Sequence, residues 1–522
     1  MTKSSKIRID LNRRDLLLGT VALAGGVAAA IPDRAWAENK GAPKRGGILK
    51  IGMGGGSSSD SLDPALAAPT PTRLLARQWG DTLIQVNEKQ EAVGRLAESF
   101  TPNANASEWT FKIRSGIVFH DGTPLTPEDV AQTLRRHANP ESQSVIVSYF
   151  QSVTSIEATE DSVVLRCSEP NADLPYLLAD YHLPIQPNGG VDNPTAAIGT
   201  GPYKLVEATA GVRYVLEKNP QDWDQNRGFY DGVEILILND STLRASALQS
   251  GAVHMVNLVD PKVAKMFSSV PNVIVVSSPS RTHYAFTAMT DSAPFDNKKL
   301  LLAMKHAMNR DEIVEKILGG YGQIGNDLPV NSTYPFFADN IEQRSFDPEL
   351  AQSHYADSGH DGSPIILCVA ETVFPGAVDC ALLWQASCNA VGIPLTVKRV
   401  PDEGYWTEVW LKQPFTTDNF LGRPVQDQQY SMFYRGGAEW NGTHMNNPEF
   451  DKMILAARSE TDATRRTEIY SQMAQILWEE GGLFVPAFAD FINAHAVNVM
   501  GWASDPSDEL MGGYAPSLTW FT

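Results

Sequence analysis

The stretch from residue 364 to residue 400 most constrains the fold, because two short apolar runs flank a single helical segment there. PIILCVA (364–370) and IPLTVKRV (393–400) have the length of buried strands, and AVDCALLWQASCNAVG between them predicts a helix. Two strands joined through a helix lie parallel in one sheet, with a right-handed crossover. The sequence therefore predicts an α/β fold.

Similar signals recur along the rest of the chain. Thr126 and Pro127 are residue types favoured at a helix N-cap and at the first helical position. The pair Asp121-Gly122 is typical of a tight turn between two strands. Strands are predicted within 46–54, 109–122 and 233–240, and helices within 123–138, 241–251 and 297–320. Antiparallel strands are therefore expected beside the parallel ones.

Residues 1–37 predict an export signal rather than part of the fold. A basic segment precedes the apolar run LLLGTVALAGGVAAAI (16–31), and Ala35-Trp36-Ala37 offers small residues at the two positions that a signal peptidase reads. We expect cleavage near Ala37 and release into the periplasm. Arg13-Arg14, directly before the apolar run, resembles a twin-arginine signal. The residues around this pair depart from the usual pattern, so general secretion stays an alternative.

Charge and hydropathy exclude several kinds of partner. The formal net charge of −19 becomes −22 once a signal with six basic and three acidic residues is removed. Such an acidic protein is a poor partner for nucleic acid or for an anionic membrane. No run after the signal reaches 18 consecutive apolar residues, so no stable membrane insertion is expected.

The four cysteines, at positions 167, 368, 380 and 388, include no CxxC pair, which argues against a zinc or redox site. Cys380 and Cys388 lie on one predicted helix, and eight residues of helix span about 12 Å, too far for a disulfide. Buried free thiols are one interpretation, and one longer-range disulfide is the other, since export would permit it.

Five motifs together resemble a known family. The stretch WTFKIRSGIVFHDGTPLTPEDV is similar to the "F-x-L-R-x-G-V-x-F-x-D-G-x-P-x-T-A-x-D-V" signature of the family 5 extracellular solute-binding proteins. These are the dipeptide-, oligopeptide-, nickel- and opine-binding proteins of ABC importers. Four further motifs resemble the family in its own order: SLDPAL (61–66), GTGPYKL (199–205), PFDNKKLLLAMKHAMNRDEIVEKILGGYG and WNGTHMNNPEFDKMILAAR (440–458).

The resemblance implies a two-lobed periplasmic binding protein fold of type II, with the ligand cleft between the lobes. Lobe I would comprise residues 42–72, 198–282 and 489–522, and lobe II residues 283–488. Residues 73–197 would be a subdomain inserted into lobe I, here called the insert. A monomer is expected that captures a small peptide or amino-acid-derived solute and delivers it to ABC permease and ATPase subunits.

Catalytic and cofactor signatures do not favour another function. After the signal there is no GxSxG, HExxH, GxxxxGK or SxxK motif, and the ten histidines are dispersed. We therefore predict that the protein is not an enzyme and that it holds neither a cofactor nor a metal ion. A secreted hydrolase, a scaffold or chaperone role, and a nickel or haem binder stay as weaker alternatives.

The segment FLGRPVQDQQYSMFY (420–434) contains the candidate ligand site. Peptide-binding members of the family carry a "W-x-g-D-y-x-d-P" run at this place, whose Asp takes the α-ammonium group of the ligand. Phe420 corresponds to its Trp and Gly422 to its Gly, which puts Arg423 where the family has the Asp. An Arg would instead suit a carboxylate, sulfonate or phosphate. The resemblance thus leaves open a peptide, an opine-like compound, or another zwitterionic or anionic solute.

Asp427 could meet a cationic group on the same ligand. The alternative is structural, because Pro424 favours a helix that starts there. Arg423 and Asp427 would then lie one turn apart and could pair with each other on the surface.

Four further residues are candidates for ligand contact. Trp440 and Asn441 could stack on a ligand and hydrogen-bond to it, or could serve core packing. Tyr284 lies just past the expected crossing between the lobes. Ser57 follows the first predicted strand.

Overall fold

A computed structural model gives the structure of this protein for residues 42–522. The predicted α/β class is confirmed, because two large mixed sheets carry most of the strands. The predicted export signal lies outside the described residues. No helix within residues 42–522 is long and apolar enough to cross a membrane.

The first large sheet has seven strands, numbered here in chain order. Strand β1 runs parallel to two neighbours, and the remaining pairs are antiparallel. From one edge to the other the strands are β12 (Val273–Ser278), β19 (Phe491–Ala496), β11 (Met255–Val256), β1 (Ile48–Met53), β10 (Gly232–Ile237), β9 (Arg213–Lys218) and β8 (Tyr203–Thr209). All seven lie in ranges that the resemblance assigns to lobe I.

The second large sheet has six strands, and all of them lie between residues 322 and 489 or within 283–288. Its order is β14 (Gly322–Ile324), β18 (Leu483–Ala489), β13 (His283–Ala288), β17 (Phe415–Phe420), β15 (Ile365–Val369) and β16 (Leu395–Arg399). Strands β15 and β16 are parallel, which confirms the strand–helix–strand unit predicted from residues 364–400.

The insert has its own small sheets. A four-stranded antiparallel sheet has the order β4 (Ala97–Pro102), β5 (Glu108–Ile113), β7 (Ser162–Cys167) and β6 (Val153–Ala158), and a two-stranded hairpin joins β2 (Ile84–Val86) to β3 (Ala92–Gly94). Near the C-terminus, β20 (Val499–Met500) pairs with β21 (Trp520–Phe521). The division of the chain into lobe I, insert and lobe II stays a prediction.

Helices cover the sheets. They are α1 (Thr70–Trp79), α2 (Pro127–Ala138), α3 (Leu174–Leu177), α4 (Ser241–Gln249), α5 (Pro261–Phe267), α6 (Lys298–His306), α7 (Arg310–Lys316), α8 (Pro348–Ser358), α9 (Ala377–Ala390), α10 (Gln426–Phe433), α11 (Pro448–Ser459), α12 (Ala463–Glu480), α13 (Glu509–Gly512) and α14 (Ala515–Leu518). Helix α2 begins as predicted: Thr126 accepts from the backbone N–H of Asp129, whose carboxylate accepts in return from Thr126 N–H. This capping box satisfies backbone donors that the first turn leaves free.

The core beside the six-stranded sheet is built around Trp384 on α9. Its ring is fully buried and packs against Phe286, Phe415 and Phe484 from three strands of the six-stranded sheet. Burying an aromatic side chain of this size removes a large apolar area from water and stabilises the fold by several kcal/mol at about 25 cal/mol per Å². The packing therefore fixes α9 against the sheet whose edge borders the candidate site.

Candidate functional site

The two large sheets suggest where a ligand would bind. In lobe I, β1 runs parallel to β10 and β11, and in lobe II, β15 runs parallel to β16 and β17. Ligands of open α/β sheets bind outside the carboxyl ends of parallel strands. The chain passes from one sheet to the other between β12 and β13, and again between β18 and β19. The carboxyl end of β17 leads directly into the segment that contains Arg423.

Arg281, on the first crossing, fixes this segment. It is 6% exposed, and its guanidinium donates to the carbonyl oxygens of Arg423 (3.4 Å), Pro424 (3.2 Å) and Thr333 (2.6 Å) and to Gln90 Oε1 (2.5 Å). Burial lowers the pKa of Arg281. All four of these acceptors are neutral oxygens, so none of these bonds pairs the Arg281 charge with a carboxylate.

Arg423 is half-buried beside this crossing. Its backbone N–H donates to the Tyr334 hydroxyl at 3.2 Å, and its guanidinium lies 5.7 Å above the centre of the Phe433 ring. Its Nε is buried and has no hydrogen-bond partner, and no carboxylate lies within 4.0 Å, among residues 42–522. A buried cationic donor without a protein acceptor is costly unless another group binds it.

The helix in this segment starts later than Pro424 predicts. Helix α10 begins at Gln426, with Val425 at the N-cap, because the carbonyl oxygens of Arg423 and Pro424 face Arg281 instead. The surface pair that the sequence allowed between Arg423 and Asp427 is therefore absent from the described structure.

Asp427 instead pairs with Arg458 on α11. The Arg458 guanidinium donates from Nε to Asp427 Oδ1 at 2.8 Å and from Nη2 to Oδ2 at 3.1 Å. Asp427 is buried, and this bidentate geometry is the strong form of a charge-assisted pair. Ligand contact by Asp427 stays a prediction, with both carboxylate oxygens already engaged by Arg458.

Tyr149, a residue of the insert, lies near Arg423. The sequence analysis did not identify it as a candidate. Its hydroxyl donates to Asp180 Oδ2 at 3.1 Å. Burial, and then the charge of Asp180, raise its pKa, while the nearby Arg423 and Gln428 oppose them. Tyr149 is thus close enough to Arg423 for the charge of Arg423 to affect its titration. No local motif marks Tyr149, and only the tertiary contact reveals it.

Asp180 is ionised and accepts the hydrogen bond from the Tyr149 hydroxyl. Burial alone would raise the pKa of Asp180, but the neighbouring His182 and Arg77 lower it to about 2. His182 Nδ1 lies 2.6 Å from Asp180 Oδ1. The Tyr149 hydroxyl proton therefore points toward Asp180, and its oxygen lone pairs face the opposite side, near Gln428 and Arg423.

Trp440 and Asn441 differ in their surroundings. Trp440 is 40% exposed and stacks on Phe433 with ring centres 6.0 Å apart, so it borders the surface on which Arg423 lies. Asn441 is buried, and its Nδ2 donates to the carbonyl oxygens of Arg435 and Met445 at 3.1 and 2.8 Å. Its amide stabilises its own loop. Whether either residue contacts ligand stays a prediction.

Tyr284 lies in β13 of the six-stranded sheet, and Ser57 follows β1 of the seven-stranded sheet. Tyr284 faces Asn419 across β13 and β17, and its ring stacks on Phe374 with centres 4.0 Å apart and an interplanar angle of 4°. Ser57 is exposed in the loop after β1, with its Oγ 3.0 Å from Ser59 Oγ. The structure does not bring these two hydroxyls into hydrogen-bond contact with Arg423, and their ligand contact stays a prediction.

Asp418, in β17, is an acidic residue that the sequence analysis did not single out. Trp410 Nε1 donates to its Oδ2 at 2.8 Å, and the backbone N–H of Asn419 donates to its Oδ1 at 2.8 Å. Burial raises the pKa of Asp418 to about 7, although these two hydrogen bonds lower it in part. The carboxyl group therefore titrates near neutral pH in the folded protein.

Metal and thiol chemistry find no support in the described part of the chain. No group of three or more His, Cys, Asp or Glu side chains within residues 42–522 is arranged to hold a metal ion. All four cysteines are buried free thiols, so the longer-range disulfide is not formed here. Burial raises the pKa of both Cys380 and Cys388, which makes them unreactive.

Comparisons with known proteins find one matching family model and several proteins of similar sequence and structure. The sequence model of the bacterial extracellular solute-binding proteins, family 5 Middle, matches residues 91–450. The glutathione-binding protein GsiB of Salmonella typhi is 22% identical over 479 residues, and that of Shigella flexneri is 22% identical over 484 residues. Each match covers 86% of this chain and 90% of the relative.

Solved structures share the two-lobed fold. HbpA2 from Haemophilus parasuis superposes with a TM-score of 0.81 at 18% identity, covering 91% of this chain and 100% of that one. DppA from Helicobacter pylori, in complex with the peptide STSA, gives 0.71 at 20% identity, with 92% and 98% covered. PBP AgaA from A. tumefacien R10, in complex with agropinic acid, gives 0.70 at 22% identity, with 91% and 99% covered.

Proposed function

Because the chain belongs to the bacterial extracellular solute-binding proteins of family 5, we propose that it captures a small peptide or amino-acid-derived solute between its two lobes. It then delivers the solute to the permease and ATPase subunits of an ABC importer. The similar proteins named for glutathione, and those solved with a peptide or with agropinic acid, support solutes of this size and chemistry. Hinge closure around a ligand is the usual mechanism of such two-lobed binders.

The observation that carries the proposal is the unpaired guanidinium of Arg423, in the segment that Arg281 holds through its carbonyl oxygens. Its buried Nε lacks an acceptor among the described residues, and the neighbouring Arg281 adds a second positive charge. A solute that presents a carboxylate, sulfonate or phosphate here would supply the missing acceptor.

This charge arrangement favours a second candidate ligand class. An opine-like compound, or another zwitterionic or anionic non-peptide solute, would place its anion at Arg423. A linear peptide would need to bind with its C-terminal carboxylate at Arg423. Asp427, four residues after Arg423, is paired with Arg458 and so does not neutralise Arg423.

Export completes the proposed function. The basic segment, apolar run and A-x-A site of residues 1–37 support export to the periplasm, with cleavage near Ala37 and the twin-arginine route. We further propose that the protein acts as a monomer and as a binder without turnover.

A ligand panel tests the proposal. The purified chain from Glu38 onward is heated with dipeptides, tripeptides, opines, polyamines and amino acids, and the melting temperature is measured for each. Ligand that binds only the native state raises the melting temperature by mass action. Stabilisation by an anionic or zwitterionic compound, without turnover, is expected. Hydrolysis of a panel compound, or stabilisation by polyamines alone, would contradict the proposal.

A further inference from the structure

A short segment of the insert around Asp173 contacts residues of the predicted lobe II. The backbone N–H of Ala172 donates to the carbonyl oxygen of Arg458 at 2.8 Å. The next residue, Asp173, forms an ion pair with Arg466 on α12, with Oδ2 and Nη2 2.5 Å apart. Each of the two side chains is 3% exposed. The contact therefore joins two parts of the chain that carry different sheets.

The ion pair belongs to a network of four charges. Asp427 and Arg458 form the second pair, and Asp427 is near enough to Asp173 to affect its titration. Burial, together with Asp427, raises the pKa of Asp173, and Arg466 opposes them. A buried carboxylate in this position depends on its cationic partner, because an unpaired buried charge is strongly destabilising.

Helix α10 connects this network to the candidate ligand site. Asp427, in the network, and Gln428, beside Tyr149, are consecutive residues of that helix. The rings of Tyr176, in the insert, and Phe336, in the predicted lobe II, also contact each other, with centres 6.1 Å apart. The insert thus contacts the predicted lobe II both through Tyr176 and at the ion pair.

We propose that Asp173 and Arg466 are positioning residues that clasp the insert to lobe II when the lobes close. The proposal rests on the proposed capture of a solute between the lobes. On opening, the insert separates from lobe II and both side chains become hydrated, so the pair stabilises only the closed form. Its strength then sets the closed population and the time for which a ligand stays enclosed.

Distance measurements between spin labels test the clasp without any added ligand. Ser168→Cys in the insert and Thr461→Cys in lobe II place labels at two exposed positions near the pair. The four native thiols are buried and do not compete for the label. Pulsed electron paramagnetic resonance then gives the distribution of label separations, in which closed and open forms appear as short and long distances.

Asp173→Asn removes one charge at nearly constant volume. We expect it to lower the ratio of closed to open protein at least tenfold relative to the doubly labelled parent. Arg466→Lys keeps the charge and should lower the ratio less than Arg466→Gln does. Arg213→Ala, which breaks a surface pair with Glu207 and Glu234 in lobe I, is the matched control and should leave the ratio unchanged.

Two different failures can be told apart. If the parent shows both distances and Asp173→Asn leaves their ratio unchanged, the clasp is wrong and capture between the lobes still stands. If the parent and all variants show one identical distance, even with the full ligand panel present, hinge closure fails and the clasp fails with it. Should Asp173→Asn not fold, Arg466→Lys carries the test, since its milder change must still shift the ratio.

Discussion

Arg281 packs directly against Gly422, and a side chain at position 422 has no room between them. A Cβ built on Gly422 would lie 2.2 Å from the Cβ of Arg281 and 3.1 Å from its Cα. These atoms cannot rotate away, because the backbone fixes the positions of Cα and Cβ whatever rotamer the side chain adopts. Glycine is thus required at position 422 because the segment between β12 and β13, which carries Arg281, approaches so closely.

Gly422→Ala should therefore lower the free energy of unfolding by about 1–3 kcal/mol, the usual range for overpacking a buried position. Chemical denaturation measures the change. Gly442→Ala is the matched control, because its Cβ would have only ordinary contacts, the nearest at 3.4 Å from Leu411. A control change within about 0.5 kcal/mol is expected. Equal losses at both glycines would show that the contact with Arg281 is not the cause.

Arg423→Ala should weaken binding of an anionic or zwitterionic ligand at least tenfold. The ligand anion would lose a charge-assisted hydrogen bond of about 1.5–3 kcal/mol. Arg423→Lys should restore only part of the affinity, because Lys cannot bind a carboxylate through a planar fork. Calorimetric titration measures both variants with the panel compound that gives the largest thermal shift, beside Arg213→Ala.

The ligand-free melting temperature separates the two roles of Arg423. Its side chain has no carboxylate partner within 4.0 Å among the described residues, so Arg423→Ala should change the ligand-free melting temperature little. Unchanged ligand affinity together with a lowered melting temperature would show instead that Arg423 serves only the fold.

The regular elements could be predicted from the sequence because their signals are local. The strand–helix–strand unit of residues 364–400 and the start of α2 at Pro127 each depend on residues within one element. The start of α10 could not be predicted so well. Pro424 is a local helix signal, but the carbonyl oxygens before α10 are bound by Arg281, 142 residues earlier than Arg423 in the chain.

The candidate site was predictable only in part for the same reason. Arg423 stands out within a family-like segment, since its charge is opposite to the one expected there. Tyr149 carries no such mark, and its position depends on Asp180 within the insert and on contact with lobe II. The partner of Asp427 was also missed, because Arg458 is 31 residues away on another helix.

Asp427→Asn should destabilise the protein by about 1–3 kcal/mol, because Arg458 loses a charged acceptor in a mostly buried place. A double-mutant cycle with Arg458→Gln should give a coupling energy of about 0.5–3 kcal/mol from unfolding curves. The cycle also tests ligand contact. If Asp427 binds a cationic group of the ligand directly, Asp427→Asn weakens zwitterions more than simple anions. An equal loss for both ligand types would mean that Asp427 acts only through Arg458.

The pH dependence of stability should contain a contribution from Asp418. Burial raises the pKa of Asp418 from the ordinary carboxyl value of about 3.9 to about 7 in the folded protein. The folded state therefore keeps the proton over a range in which the unfolded state has lost it. For a carboxyl group shifted in this direction, the contribution to stability is complete below about pH 4 and is lost as the pH rises toward 7.

Asp418→Asn removes this titration while keeping an oxygen that can accept from Trp410 Nε1. Relative to wild type, the variant should gain stability as the pH rises from about 4 to 8, by at most about 4 kcal/mol at 1.36 kcal/mol per pKa unit. Urea unfolding at pH 4.5, 6 and 8 measures the difference. The gain should be smallest at pH 4.5, because only the first part of the range between the unfolded and the folded pKa has then been crossed. A difference that is constant across the three pH values would show that Asp418 stays ionised throughout.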